Sequence, residues 1–307
     1  MRITRNRGII GCATLIMLLT ASTVGGLIGL REYLLGPVGH YFDSNGVRIH
    51  YTDEGSGVPV LLVHGFANPA NLQWRRLGRI DALKQQGYRV IALDNRGHGR
   101  SGKPHDPARY GREMSEELAR LLDHLNIPKA HVVGYSMGGF ITLRFVCDHP
   151  DRVLSAAVCG AGWIRPSDES RQFAATLADA IDRGDPGPLP QRLGVLDRPL
   201  YLGERAAVYL SLACFNDAHA LAAVARSSPE LGVTEEMLQK NTVPVLTMVG
   251  EKDGFLPEAR DLHAHMAHHT LIELPRKTHM DADVASTFLK NLESFLREHS
   301  PASSPAA

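Results

Sequence analysis

Six short apolar runs recur along the chain, at 58–63, 88–93, 130–134, 154–159, 243–249 and 270–274. Most are continuous rather than alternating, the pattern of parallel strands covered on both faces. Between them, at 114–125, 139–147 and 283–297, lie segments with the spacing of helices. The segment 40–51 carries Asn45-Gly46 at its centre, a dipeptide suited to the positive φ values of a tight hairpin turn. Strand, helix, strand repeated in this way predicts an α/β architecture, a mostly parallel central sheet flanked by helices. The rhythm breaks between 163 and 241, which is rich in Ala and Leu, helical in period, and interrupted at 184–190 by Gly-Asp-Pro-Gly-Pro-Leu-Pro. That interval reads as a helical cap inserted late in the chain. The predicted organisation is therefore an N-terminal segment 1–38, a first core part 39–162, the cap 163–241, a second core part 242–299, and a Pro/Ser/Ala-rich tail 300–307 expected to be disordered.

The N-terminal segment departs from this globular pattern. Arg2, Arg5 and Arg7 precede an uncharged stretch over 8–30, closed by Arg31 and Glu32. A stretch of that length can span a bilayer, and the basic leader keeps its own end cytoplasmic. The expectation is an exported catalytic body, membrane-anchored through 8–30, or secreted or periplasmic if the segment is cleaved near Thr20-Ala21-Ser22.

Composition narrows the rest. Over 307 residues, 44% hydrophobic and 21% charged, the chain can bury a large core. Lys plus Arg and Asp plus Glu are equal at 33 each, so no net field recruits nucleic acid. Cys12, Cys147, Cys159 and Cys214 show no metal-type spacing, and Cys147 and Cys159 read as core thiols. No metal or organic cofactor is called for.

One stretch carries chemistry. Residues 131–140, HVVGYSMGGF, place a serine in Gly-x-Ser-x-Gly between an apolar run and a helical segment. In that context the serine sits on a sharp, strained turn, and Gly134 and Gly138 are needed because a Cβ would collide with neighbouring backbone. The turn exposes the hydroxyl of Ser136, and the helix that follows points its N-terminal N–H groups at the site. A serine nucleophile needs a base, and the base an orienting carboxylate. Downstream, Asp253 follows the run 243–249 and His279 follows the run 270–274, so the order is Ser, acid, His. Glu251 is the rival acid. His263, His265, His268 and His269 read as residues of a surface helix, and His98 as part of a glycine-rich turn. The backbone N–H groups of Met137 and Phe66 are the expected oxyanion donors. Phe66, Tyr135 and Trp163 are the expected substrate contacts. Phe173, Tyr209 and Phe215 are further pocket candidates for which core packing is the simpler role.

LLVHGF, IALDNRGHGRS, GYSMGG, VGEKDGF and KTHMD, in order from Leu61 to Asp281, resemble the α/β-hydrolase superfamily, specifically its serine esterase and lipase-like branch with a cap. The resemblance covers nearly all of the chain beyond the N-terminal segment. It implies Ser136 as nucleophile, His279 as base, Asp253 as its partner, and Phe66 and Met137 as oxyanion donors. It implies structural roles for Asp94 and Arg96. One departure stands after His279, where Met-Asp-Ala-Asp replaces the apolar residues and glutamate frequent in relatives. Serine at the elbow argues against the dehalogenases and epoxide hydrolases that resemble this family, which use aspartate there. The expected function is hydrolysis of a small-molecule carboxylic ester. A lactonase, a C–C bond hydrolase, an aminopeptidase and a perhydrolase are enzymatic alternatives, and a non-catalytic membrane-attached binding protein is a remote one.

Overall fold

The structure is a computed structural model that describes residues 26, 29–185, 187–194 and 216–301. The predicted span at 8–30 lies outside these apart from Gly26, Gly29 and Leu30, and Cys12, Cys214, Tyr209 and Phe215 lie outside as well. Among the described residues, no helix is long and apolar enough to cross a membrane.

Eight strands form one sheet: β1 (His40–Ser44), β2 (Val47–Gly55), β3 (Val58–Val63), β4 (Tyr88–Leu93), β5 (Ala130–Tyr135), β6 (Val153–Cys159), β7 (Val245–Gly250) and β8 (His269–Leu274). Their order is β1-β2-β4-β3-β5-β6-β7-β8. β1 and β2 form the predicted hairpin, closed by Asn45 at φ 54° and Gly46 at φ 77°. β2 joins β4 antiparallel, and all remaining pairs are parallel. A parallel sheet has crossovers on both faces, which is why its central strands are apolar throughout.

The period of two divides those strands between two cores. Leu61, Val63, Ile91, Leu93, Val132 and Val158 pack on one face under the helices Arg112–His124 and Met137–Asp148. Val60, Leu62, Val90, Ala92, Val133 and Met248 pack on the other, under the helices Arg79–Gln85 and Ser286–Glu298. Over the carboxyl ends of the strands lie the helices Asp168–Asp182 and Ala218–Ser227. Their Leu177, Ala178, Ile181, Leu221, Ala222 and Ala225 form a third apolar cluster. The side chains of Ser167 and Ser170 form a capping box at the first of these helices, and Asp217 caps the second.

Several boundaries differ from the sequence reading. β7 starts at Val245 rather than 243, because the Asn241 side chain bonds both the N–H and the carbonyl of Val243 and bends the chain there. The last helix starts at Ser286 rather than 283, because Thr278, Asp281 and Asp283 are engaged in a side-chain-bonded loop. The expected histidine helix also divides. His263 and His265 are on the helix Leu256–His265, whereas His268 lies in the following turn and His269 opens β8 against Thr247 Oγ1 at 2.9 Å.

Candidate active site

Four strands bring their carboxyl ends to one crevice: β3 delivers Phe66, β5 Ser136, β7 Asp253 and β8 His279. β5 is central in the sheet, so the turn after it is flanked by the loops of its neighbours.

At that turn Ser136 takes φ 56° and ψ −119°, a region that non-glycine residues avoid and that costs on the order of 1–3 kcal/mol. The glycines make it feasible. A Cβ on Gly134 would lie 2.0 Å from the Gly138 carbonyl oxygen, and one on Gly138 would lie 2.1 Å from that of Val63. Neither position has room for a side chain. Ser136 N–H donates to the Cys159 carbonyl of β6 at 2.8 Å, pinning the turn to the sheet. Met137 opens the following helix, where the first N–H groups have no intrahelical acceptor.

Ser136 Oγ is 2.9 Å from His279 Nε2. The other ring nitrogen, Nδ1, is 2.9 and 3.1 Å from the two carboxylate oxygens of Asp253. A carboxylate there requires Nδ1 to carry a proton, leaving Nε2 free to accept one from the serine hydroxyl. Asp253 and His279 are both 4% exposed. Asp253 Oδ1 also accepts the Phe255 N–H at 2.9 Å, which fixes the carboxylate plane. Glu251 is exposed and accepts the Arg276 N–H at 2.7 Å, turned away from the histidine.

Phe66 and Met137 both line a cavity of about 670 Å³ that opens on Ser136. Its walls also include Trp163, expected from the sequence, and Phe173. Trp163 is buried, with Nε1 donating to the Val233 carbonyl at 2.8 Å. Tyr135, expected beside substrate, is instead directed behind the histidine. It is absent from the cavity wall, and its hydroxyl donates to the His279 carbonyl at 2.6 Å. Adjacent residues of a strand point to opposite faces, and burial there pushes the Tyr135 phenol well above its ordinary value. Phe140, Leu143 and Phe255 are wall residues that the sequence reading missed. Phe140 and Leu143 fall four and seven positions after Ser136, one helical face, so the period held the signal. Phe255 lies two residues beyond Asp253, with its ring 5.6 Å from that of His279.

Asp94 and Arg96 are buried in the framework. Asp94 accepts N–H groups of Ala70 and Arg100 and meets His50 Nδ1, each at 2.9 Å. Arg96 pairs with Glu117 at 2.9 Å and donates to the Arg109 carbonyl. Cys159 is a buried free thiol and Cys147 a half-buried one, and burial raises both, Cys147 to about 12. Among the described residues, no group of three or more His, Cys, Asp or Glu is arranged to hold a metal ion.

This sheet order, with a Gly-x-Ser-x-Gly turn after β5, is the α/β-hydrolase fold. A family model described as the alpha/beta hydrolase fold matches residues 58–197. A carboxylesterase of Nitrososphaera gargenis superposes with a TM-score of 0.68 at 24% identity, covering 85% of this chain and 98% of that one. The meta-cleavage product hydrolase of Pseudomonas fluorescens superposes at 0.67 and 22% identity, covering 86% and 99%. In sequence, bifunctional epoxide hydrolase 2 of Rattus norvegicus is 34% identical over 125 residues, 40% of this chain and 22% of that protein. The chain thus spans about a fifth of the length of that relative.

Proposed function

We propose that this protein is a serine hydrolase cleaving carboxylic esters through an acyl-enzyme intermediate. The observation that carries the reading is the continuous path from Ser136 Oγ through His279 to the Asp253 carboxylate, opening into an apolar cavity. His279 Nε2 takes the Ser136 proton as Oγ attacks the ester carbonyl carbon. The resulting oxyanion is met by the N–H groups of Met137 and Phe66. The C–O bond to the alcohol breaks, and His279 returns the proton to that oxygen. Water, deprotonated by His279, then attacks the acyl carbon; the carboxylic acid leaves and Ser136 regains its proton. Asp253 holds the imidazole in the required tautomer and stabilises its positive charge in between. Serine at the elbow separates this chemistry from the epoxide hydrolase relative, whose family resemblance implies an aspartate nucleophile.

The substrate proposed is an uncharged ester whose acyl or alcohol part is apolar, held by Phe66, Phe140, Trp163 and Phe255. We infer from the sequence that residues 8–30 carry the catalytic body across a membrane. The test is turnover of p-nitrophenyl esters from acetate to palmitate by the full chain in mild detergent, beside Ser136→Ala. Ser136-dependent hydrolysis is the expected result. Turnover undiminished in Ser136→Ala would overturn the assignment.

A further inference from the structure

The proposed oxyanion donor Phe66 and the proposed base His279 sit on separate loops, one after β3 and one after β8, with no strand pairing between them. Beyond the sheet that carries both, side chains tie the two loops together. One chain of hydrogen bonds, buried at Gln73 and Asp283, crosses from loop to loop. Asn68, two residues beyond Phe66, donates Nδ2–H to Gln73 Oε1 at 3.0 Å. Gln73 Nε2 in turn donates to the Asp283 carboxylate, four residues beyond His279. Gln73 is 5% exposed and Asp283 6%. The Gln73 amide also lies behind the β3 loop, since a Cβ on Gly65 would be 3.5 Å from Gln73 Oε1 and 3.3 Å from Ser136 Cβ. Arg79, from the neighbouring helix, donates to the Asp283 carbonyl and holds that end of the chain.

We propose that Gln73 and Asp283 are positioning residues that brace the Gly65–Asn68 loop against the histidine loop and so set the Phe66 N–H relative to His279. The proposal rests on the serine-hydrolase reading. Neither side chain lines the cavity, so neither touches substrate. Asp283 is also an expensive residue to keep. Burial raises its carboxyl to about 6, against the favourable charges of Arg79 and His279 and the Gln73 hydrogen bond. Other charged or titratable groups near this cluster are Glu293, which acts on Arg79, and the Tyr135 phenol and the Cys159 thiol, both raised by burial first and also by Asp283. A buried acid that costs stability yet stands beside the site is what a positional role predicts.

The test compares Gln73→Met, Asp283→Leu and Asp283→Asn in the full chain. Turnover of a p-nitrophenyl ester is normalised to sites titrated with a fluorophosphonate, and Tm is measured alongside. Gln73→Met and Asp283→Leu are expected to lower kcat roughly 10- to 100-fold with KM within about twofold, the cost of a sub-ångström to ångström displacement of a reacting group. Asp283→Asn keeps an acceptor for the Gln73 amide and is expected to stay within about threefold of wild type. Wild-type kcat per titrated site in Gln73→Met, or a loss in Asp283→Asn equal to that in Asp283→Leu, would overturn the brace. If Asp283→Leu fails to fold, Gln73→Met decides, since it removes the amide at nearly constant volume. Labelling independent of Ser136 would instead overturn the serine reading and the brace with it.

Discussion

The turn that carries Ser136 depends on two glycines, and the sharper test is Gly138→Ala. The added Cβ would lie 2.1 Å from the Val63 carbonyl oxygen, 2.7 Å from its carbon and 2.8 Å from the His64 carbonyl oxygen. Ordinary contact begins at 3.4 Å, so the backbone must open by about 1.3 Å. No rotamer relieves a clash of a Cβ with backbone. Overpacking of this kind costs roughly 1–3 kcal/mol, a few degrees in Tm for a chain of this size. β3 and the helix Met137–Asp148 meet at this point, so opening it also moves Ser136 away from His279. A displacement near 1 Å costs about 10² in rate. The expected outcome is a kcat near 1% of wild type on a p-nitrophenyl ester, with slowed fluorophosphonate labelling and a modestly lowered Tm. Gly78→Ala is the control. Gly78 has φ 72° but no atom within 4 Å of an added Cβ, so about 1 kcal/mol of backbone strain should lower Tm and leave kcat unchanged. A Gly138→Ala protein with wild-type Tm and wild-type labelling would refute the reasoning.

Three further outcomes follow from the geometry. Asp253→Asn should lower kcat by roughly 10² to 10⁴ with little change in KM, because an amide no longer fixes the His279 tautomer; steady-state kinetics with Tm as control checks it. Leu143→Trp fills the cavity from the helix face that carries Ser136 and should shift the chain-length optimum toward shorter acyl groups; the p-nitrophenyl series reads this out. Asp283 titrates from an ordinary value of 3.8 to about 6 in the folded state. Its folded-state value is raised, so its contribution favours folding below about pH 4 and is lost as pH rises through 6. The stability of wild type relative to Asp283→Asn should therefore fall by roughly 3 kcal/mol from about pH 3 to about pH 7, measured by urea unfolding at each pH.

How much of this could be read from residues alone differs along the chain. Strands β3 to β8 announce themselves as apolar runs because a strand covered on both faces has no polar side to show. The Ser136 turn was legible because Gly134 and Gly138 are demanded by backbone contacts a few residues away. Asp253 and Glu251 were harder to separate, since both occupy the same loop and only its fold turns one inward. Asp281 and Asp283 show the limit. Asp281 is a local device that accepts the Thr278 N–H at 2.6 Å, and it is recognisable from sequence spacing. Asp283 is buried only because Gln73 and Arg79, more than 200 residues earlier, close over it. No local pattern records a partner that distant. Tyr135 is a milder case, because its neighbour Ser136 suggests the substrate side while strand alternation sends it to the other.

The cavity wall bears on which carbonyl compounds can approach Ser136. Two arginines line it, and each is already committed. Arg165 makes a two-point contact with Asp261 at 3.1 Å and stacks 3.9 Å from the Trp163 ring. Arg192 pairs with Glu258 and stacks 4.1 Å from the Phe255 ring. Against these two cations the wall carries Glu169, Glu258 and Asp261, so the described wall has more carboxylates than cations. A substrate bearing its own carboxylate finds no uncommitted arginine on the described wall and meets carboxylates that outnumber those cations. A neutral ester displaces nothing and gains by covering the aromatic rings, at about 25 cal/mol for each Å² of apolar surface removed from water. The Arg165 and Arg192 ion pairs lie outside the strand ends that bear Ser136, Asp253 and His279, so changing them is expected to move substrate preference while those three residues keep their geometry.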